Sequence, residues 1–229
     1  MGGTMSEELI NVLMPAWNRE NTIQWAIDSI LKQTHKNLKL YIYDDGSTDK
    51  TKDIVSSYND DRIIYKYSAT NNGVQYARNQ LMQMAGHGIG AWMDADDLSN
   101  IHRLEIQLGD YNKQNKCLVC CTYQVINGMK NPNTNNIPRL DSTKRDSWGA
   151  FASSIFRIED AVQFPEEYSG GGGDTMWWRL MLKKFSETSR SVLHQKLYYV
   201  RKHSERITFW KSNLSEAPDE FRKHKRLGQ

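Results

Sequence analysis

Between Ile10 and Asp97, short apolar runs alternate with segments of helical spacing, and this alternation limits the fold more than any other feature of the chain. Ile10-Asn11-Val12-Leu13-Met14 reads as a strand that stops at Pro15, a residue with no N–H to give to a ladder. From Arg19 to Lys32 the apolar residues fall at Ile23, Ala26, Ile27, Ile30 and Leu31, one face of a helix, with Asn21 as its N-cap. Further strands follow at 38–43, 63–67 and 89–93, separated by helices through Ile54 to Tyr58 and from Val74 to Met84. A βαβαβαβ order of this kind predicts an α/β fold with a mostly parallel central sheet flanked by helices. Open sheets of this class bind ligands beyond the carboxyl ends of their strands. The polar loops Asp44-Asp45-Gly46-Ser47-Thr48-Asp49 and Asp94-Ala95-Asp96-Asp97 lie there.

The second half is less regular. Arg103 to Asn112 is expected to be a helix and Leu118 to Val125 a strand. Residues 127–144, rich in Asn, Pro, Asp and Thr, read as a long loop, and Ser147 to Arg157 as a strand. Four glycines, Gly170 to Gly173, precede Asp174 and an amphipathic helix from Thr175 to Phe185; Leu197 to Arg201 is a last strand. No internal repeat or linker is visible, so residues 10–208 are expected to form a single domain, divided into halves 10–97 and 98–208. Residues 1–9 read as a tag or leader, with a native start at Met5, and 209–229 as a basic tail.

Composition removes several classes. No window approaches the roughly 18 apolar residues of a membrane span, mean hydropathy is −0.71, and the N-terminus lacks the plan of a signal peptide. Cys117, Cys120 and Cys121 have no second ligand pair with which to close a tetrahedral metal site, and they read as free thiols of a buried strand in a reducing cytoplasm. A net charge of +3 is too small to announce a nucleic-acid binder. It is unevenly spread, however: from Arg179 onward there are 13 Lys/Arg against 5 Asp/Glu, which leaves the front of the chain acidic.

Five segments are able to carry chemistry. Three carboxylates within four residues, Asp94, Asp96 and Asp97, repel one another unless they share a cation, and Mg²⁺ or Mn²⁺ suits such a set together with substrate phosphates; the alternative is a solvated acidic loop. The Asp44–Asp49 loop offers acids to a sugar hydroxyl or a base N–H, but also serves as a turn and helix cap. Arg78, early in a helix after Asn72-Gly73, faces either phosphate or solvent. Asp174 after its glycines is placed as a general base meeting a mobile substrate, or as a plain N-cap. His203, after the last strand, is a ligand only if others stand nearby.

In this order and spacing, the segments resemble the inverting GT-A glycosyltransferases of family 2. The resemblance is carried by residues 12–19, by Ser29-Ile30-Leu31-Lys32-Gln33-Thr34, by Asp44 to Asp49, by Asn72-Gly73 with Ala77-Arg78-Asn79, and by Asp94-Ala95-Asp96-Asp97. It is continuous over residues 10–100 and patchy over 101–205. It implies that Pro15, Ala16 and Trp17, with Asn18, bind the donor nucleobase and that Asp45 reads its edge. Gly73 and Arg78 then lie beside the base and diphosphate. Asp94-Ala95-Asp96 is the D-x-D motif, a donor-binding segment whose first acid faces the ribose, with Asp96 or Asp97 holding Mn²⁺ or Mg²⁺. Asp174 corresponds to the catalytic base, although the Glu that often precedes it is Gly173 here. Tyr199, Arg201 and His203 resemble the late Y-x-R-x-H element, whose histidine approaches the diphosphate or metal. The Q-x-x-R-W element of processive polymerases is missing.

The implied activity is a metal-dependent, inverting transfer of one sugar from a nucleotide-diphosphate sugar, expected to be a UDP-sugar, to a hydroxyl on a glycan or lipid-linked glycan. The expected location is the cytoplasm, or a peripheral position at the membrane surface. A second acceptor class is DNA carrying a hydroxyl-bearing base, suggested by the basic rear, Trp177-Trp178 and the run from Arg222 to Arg226. A silent sugar-nucleotide-binding module would have no need of Asp174. A nucleotidyltransferase would carry a Gly-rich phosphate loop where this chain has Pro15-Ala16-Trp17-Asn18.

Overall fold

Strand Ile10–Ala16 (β1) is the hub of the fold, paired in parallel on one side with Leu38–Asp44 (β2) and on the other with Ile89–Trp92 (β4). In this computed structural model the described residues are 8–114, 117–127, 151–166, 173–185 and 190–202. Ile63–Tyr67 (β3) extends the sheet beyond β2, also in parallel. The second half continues the same sheet: Ile155–Arg157 (β7) runs antiparallel to β4, and Leu118–Asn127 (β6) antiparallel to β7. Arg190–Lys202 (β8) pairs in parallel with β6 through an irregular register near Thr122, and Leu98–Ser99 (β5) closes the far edge antiparallel to β8. Among the described residues the order is β3-β2-β1-β4-β7-β6-β8-β5.

Alternation along each strand divides the core between two faces. Ile10, Val12 and Met14 of β1 pack with Leu40, Ile42, Ala91 and Met93 beneath Ile23–Leu31 (α1) and Arg103–Gln114 (α4). Leu13, Tyr41, Tyr43 and Trp92 point the other way, against Val74–Ala85 (α3) and Gly173–Phe185 (α5). Each fully buried Ile or Leu contributes about 1.5–3 kcal/mol, and both faces are lined with them. The expected α/β sheet with helices on both faces is therefore present.

Several boundaries differ from the sequence-based expectation. β1 runs through Pro15 to Ala16, because its pairing with β4 ends at Leu13 and Met93 N–H is the last donor on that side, so the missing N–H of Pro15 leaves no bond unmade. α1 is preceded by Thr22 rather than Asn21 at the N-cap, with no side-chain cap bond; the Arg19 carbonyl accepts the N–H groups of Thr22 and Ile23 instead. Thr51–Ser56 (α2) is capped from Asp49, whose Oδ1 accepts Thr51 N–H at 2.9 Å. The described part of the expected 147–157 strand is a 3₁₀ turn, Phe151–Ser153, then β7. β8 begins seven residues earlier than expected, since the buried stretch of β6 supplies a ladder its own composition does not announce. Cys120 and Cys121 are buried in β6 as free thiols and Cys117 is half-buried. Residues 1–7 of the expected leader 1–9, residues 128–144 of the expected loop 127–144, Gly170–Gly172, His203 and the tail lie outside the described residues, and Asn127 belongs to β6.

Candidate active site

The ladder carries β4 to the edge of its acidic loop. Met93 N–H donates to the Leu13 carbonyl at 3.0 Å, and a turn from Asp97 N–H to the Asp94 carbonyl (3.3 Å) then folds the next residues back. Oxygens of Asp94, Asp96 and Asp97 consequently lie within 4.8 Å of one another. Asp96 and Asp97 are buried and Asp94 half-buried, while Ala95 packs into the core. Like charges this close need compensation. Three elements supply it: Arg19 Nε stands 3.5 Å from Asp96, Arg78 Nη2 stands 3.7 Å from Asp94, and Arg201 N–H donates to Asp97 Oδ1 at 2.7 Å. A hard set of carboxylate oxygens in a partly buried cleft fits Mg²⁺ or Mn²⁺.

Behind the carboxylates is a second layer that the sequence does not advertise. The Tyr198 hydroxyl accepts Asp94 N–H at 3.1 Å; burial, then the charges of Asp97 and Asp94, push this phenol well above its usual range, so it stays neutral. Arg103, wholly buried, donates to the Trp92 carbonyl at 3.1 Å and faces the Tyr198 ring at 5.4 Å. Its guanidinium pKa is lowered by burial. Arg201 is also fully buried, with its guanidinium 4.7 Å from the Trp25 ring. Burial lowers its pKa, and the charges of Asp97 and Asp96 partly offset this.

Arg78 is anchored on aromatic rings and on Gln75. Its guanidinium lies over Phe151 and Phe164, 4.6 and 5.3 Å from the ring centroids, and Nη1 donates to Gln75 Oε1 at 3.3 Å. Aromatic faces favour a cation held in this way. The group is thus fixed beside Asp94, at the carboxyl end of the sheet.

The loops after β1 and β2 interlock. Asn18, with φ of 49°, donates its N–H to Ser47 Oγ at 2.8 Å and accepts Thr48 N–H on Oδ1 at 2.9 Å. Trp17 remains 41% exposed between Ala16 and this clamp, at a groove that also includes Arg19 and Asp49. Asp44 is occupied by Ser47 N–H and the Tyr65 hydroxyl. Asp45, expected to read a nucleobase, holds the protein's own backbone: Asn72 N–H reaches both its oxygens, at 3.1 and 3.0 Å, and Gly73 N–H reaches Oδ2 at 2.7 Å. Gly73, with φ of 93°, then starts α3 and so aims Arg78.

Asp174 sits in the first turn of α5, where a carboxylate is favoured by the helix dipole; its Oδ1 accepts Thr175 N–H at 2.7 Å. It is half-buried. Gly173 presses on the Gln75 amide, which joins this turn to Arg78 and through it to Asp94. The structure therefore brings Arg78, Asp94, Asp96, Asp97 and the backbone of Arg201 together, and links Asp174 to them through Gln75. Arg19, Gln75, Arg103 and Tyr198 are the neighbours that sequence reasoning missed as site residues. A charged residue two positions after an exposed Trp at a strand end was the available signal for Arg19; the others are visible only through pairing and packing.

Comparisons with known proteins give the family and the fold. The UDP-Glc:alpha-D-GlcNAc-diphosphoundecaprenol beta-1,3-glucosyltransferase WfgD of Escherichia coli is 34% identical over 123 residues, 54% of this chain and 49% of WfgD. The chain thus spans about half the length of this relative. S. aureus TarS 1-349 in complex with UDP-GlcNAc superposes with a TM-score of 0.68 at 23% identity, covering 95% of this chain and 64% of that one. The mannosyltransferase PcManGT from Pyrobaculum calidifontis, in complex with GDP-Man and Mn2+, superposes with a TM-score of 0.64 at 17% identity, covering 88% and 59%. These likenesses establish the GT-A fold, and because the family model "Glycosyl transferase family 2" matches residues 11–188, the chain belongs to that family.

Proposed function

We propose that the protein moves one sugar from a UDP-sugar to a hydroxyl of a glycan or lipid-linked glycan, inverting the anomeric centre. The observation that carries this reading is the convergence at one sheet end of three carboxylates, an anchored arginine and, through Gln75, the Asp174 turn. Trp17 offers a flat face for the nucleobase beside the clamped loops. Arg78 balances charge on the diphosphate as its bond to the anomeric carbon breaks. Asp174 takes the proton of the acceptor hydroxyl, whose oxygen bonds to that carbon from the opposite face. Asp96 and Asp97, with Asp94, would hold a divalent cation, which adds further neutralisation of the leaving diphosphate. Residues 10–97 form the donor half and 98–208 the acceptor half in this scheme. The name of WfgD, a glucosyltransferase acting on a diphosphoundecaprenol-linked sugar, favours the lipid-linked acceptor. Among the described residues no helix is long and apolar enough to cross a membrane.

The test is UDP release and product formation with UDP-Glc or UDP-GlcNAc, Mn²⁺ and a GlcNAc-diphosphoundecaprenol analogue, with the product anomer read by NMR. Asp174→Asn is expected to lower transfer about 10²- to 10⁴-fold while the donor-induced rise in melting temperature persists. Chelation with EDTA should abolish transfer. Retention of the donor configuration, full activity in EDTA, or an active Asp174→Asn protein would each remove the corresponding part of the scheme.

A further inference from the structure

Gly173 opens α5 without any conformational need for glycine. The described glycines with positive φ are Gly46, Gly73, Gly86 and Gly88, and Gly173 is not among them. At the first position of a helix a glycine is tolerated but not required, so a backbone argument offers no reason for it here. Space does. A Cβ on Gly173 would overlap the terminal amide of Gln75, with Nε2, Cδ and Oε1 as its three nearest atoms. Gln75 is 1% exposed, and its Oε1 accepts a hydrogen bond from Arg78 Nη1 at 3.3 Å. Arg78 in turn is seated on Phe151 and Phe164 and reaches Asp94. A side chain at 173 must therefore push Gln75 off Arg78 or lift the first turn of α5 from α3.

We propose that Gln75 is a positioning residue: its amide fills the space left by the missing side chain at 173, seats the first turn of α5 on α3, and so fixes the Asp174 carboxylate relative to Arg78. This rests on the reading of Asp174 as the base. Misplacing a reacting group by about 1 Å costs up to about 100-fold in rate, so the seat matters even though Gln75 touches no reacting atom.

The test compares four proteins: wild type, Gly173→Ala, Gln75→Ser and the double variant. Gly173→Ala is expected to lower kcat about 10- to 100-fold, with donor KM changed less. Gln75→Ser alone lowers kcat because the seat is gone. In the double variant the shorter serine makes room for the new Cβ, and kcat rises about tenfold above Gly173→Ala, the non-additivity expected of residues in contact. Melting temperatures should show the same rescue, which keeps the test decisive even if Gly173→Ala folds poorly. A Gly173→Ala protein with wild-type kcat, or a double variant no faster than Gly173→Ala, overturns the proposal. An active Asp174→Asn protein, assayed alongside, would remove the base and with it the functional half; additive melting temperatures would remove the interlock itself.

Discussion

At Gly46 the backbone has φ of +80°, and a Cβ there would stand 2.8 Å from Asn71 N and from the Thr70 carbonyl carbon. Both are main-chain atoms of the loop that Asp45 holds through Asn72 and Gly73 N–H, so neither yields by a change of rotamer. Gly46→Ala thus combines a strained conformation with a backbone clash, and a loss of about 1–3 kcal/mol is expected. The consequence reaches further than stability. Pushing Asn71 away draws Gly73 off Asp45, and Gly73 starts the helix that carries Arg78. A urea titration should show the lower midpoint, and calorimetry should show weaker UDP binding in the same variant. Unchanged UDP affinity in a destabilised Gly46→Ala protein would separate Arg78 from this loop. Asp44-Asp45-Gly46 was legible in the sequence as a turn at a strand end, and the structure keeps it so. The backbone partners of Asp45 were not legible: a carboxylate next to a strand terminus has the same letter whichever N–H groups it holds.

The connection between β2 and α2 works as an element held by carboxylates. Asp49 accepts Thr51 N–H on Oδ1 and Glu20 N–H on Oδ2, at 2.9 and 3.0 Å, and Glu20 returns a carboxylate to Lys50 N–H at 3.0 Å. Burial acts to raise the Asp49 pKa, but the hydrogen bonds from Thr51 and Glu20 outweigh it, and the carboxyl lies below its ordinary value of 3.8. A depressed acid contributes stability that is fully present above its unfolded pKa and is lost as pH falls through the folded one. The loop should therefore hold at neutral pH and loosen below about pH 4. Asp49→Asn is expected to cost about 1–2 kcal/mol at pH 7 and to flatten the acid limb of the stability curve. An Asp49→Asn protein with an unchanged acid limb would assign the pH dependence to other carboxylates. At this scale the first half of the chain was readable because each strand and helix has its own period. β5 and the early part of β8 were not, since two residues have no period and Arg190–Lys196 becomes a strand only through its partner β6.

Across the whole molecule the two halves share one sheet, and the aromatic side chains show how tightly. Trp92 of β4 stacks on Phe156 of β7 at 5.5 Å and meets Trp177 of α5 edge-on at 6.2 Å, while Trp177 stacks on Phe164 at 5.3 Å. Trp177 is fully buried, and its indole N–H donates to the Val162 carbonyl at 2.7 Å. The acidic cluster lies on the same seam, with Asp97 bonded to Arg201 N–H and Asp94 N–H to Tyr198, so these carboxylates take their geometry from a strand of the other half. Neither half can then keep its site geometry alone. Tryptophan fluorescence, to which the seam's Trp92 and Trp177 contribute, and far-UV circular dichroism, which averages the helices, should give one coincident urea transition, as a two-state unfolding requires. Trp177→Ala should lower both midpoints together, for a loss of about 3–5 kcal/mol of stability, and weaken the shift in melting temperature produced by UDP with Mn²⁺, because Trp177 packs on Phe151 and Phe164, the two rings that seat Arg78. A circular-dichroism transition that lags behind fluorescence, with ligand binding retained in between, would mean that residues 10–97 fold by themselves and that the seam is a contact between two stable units rather than the core of one.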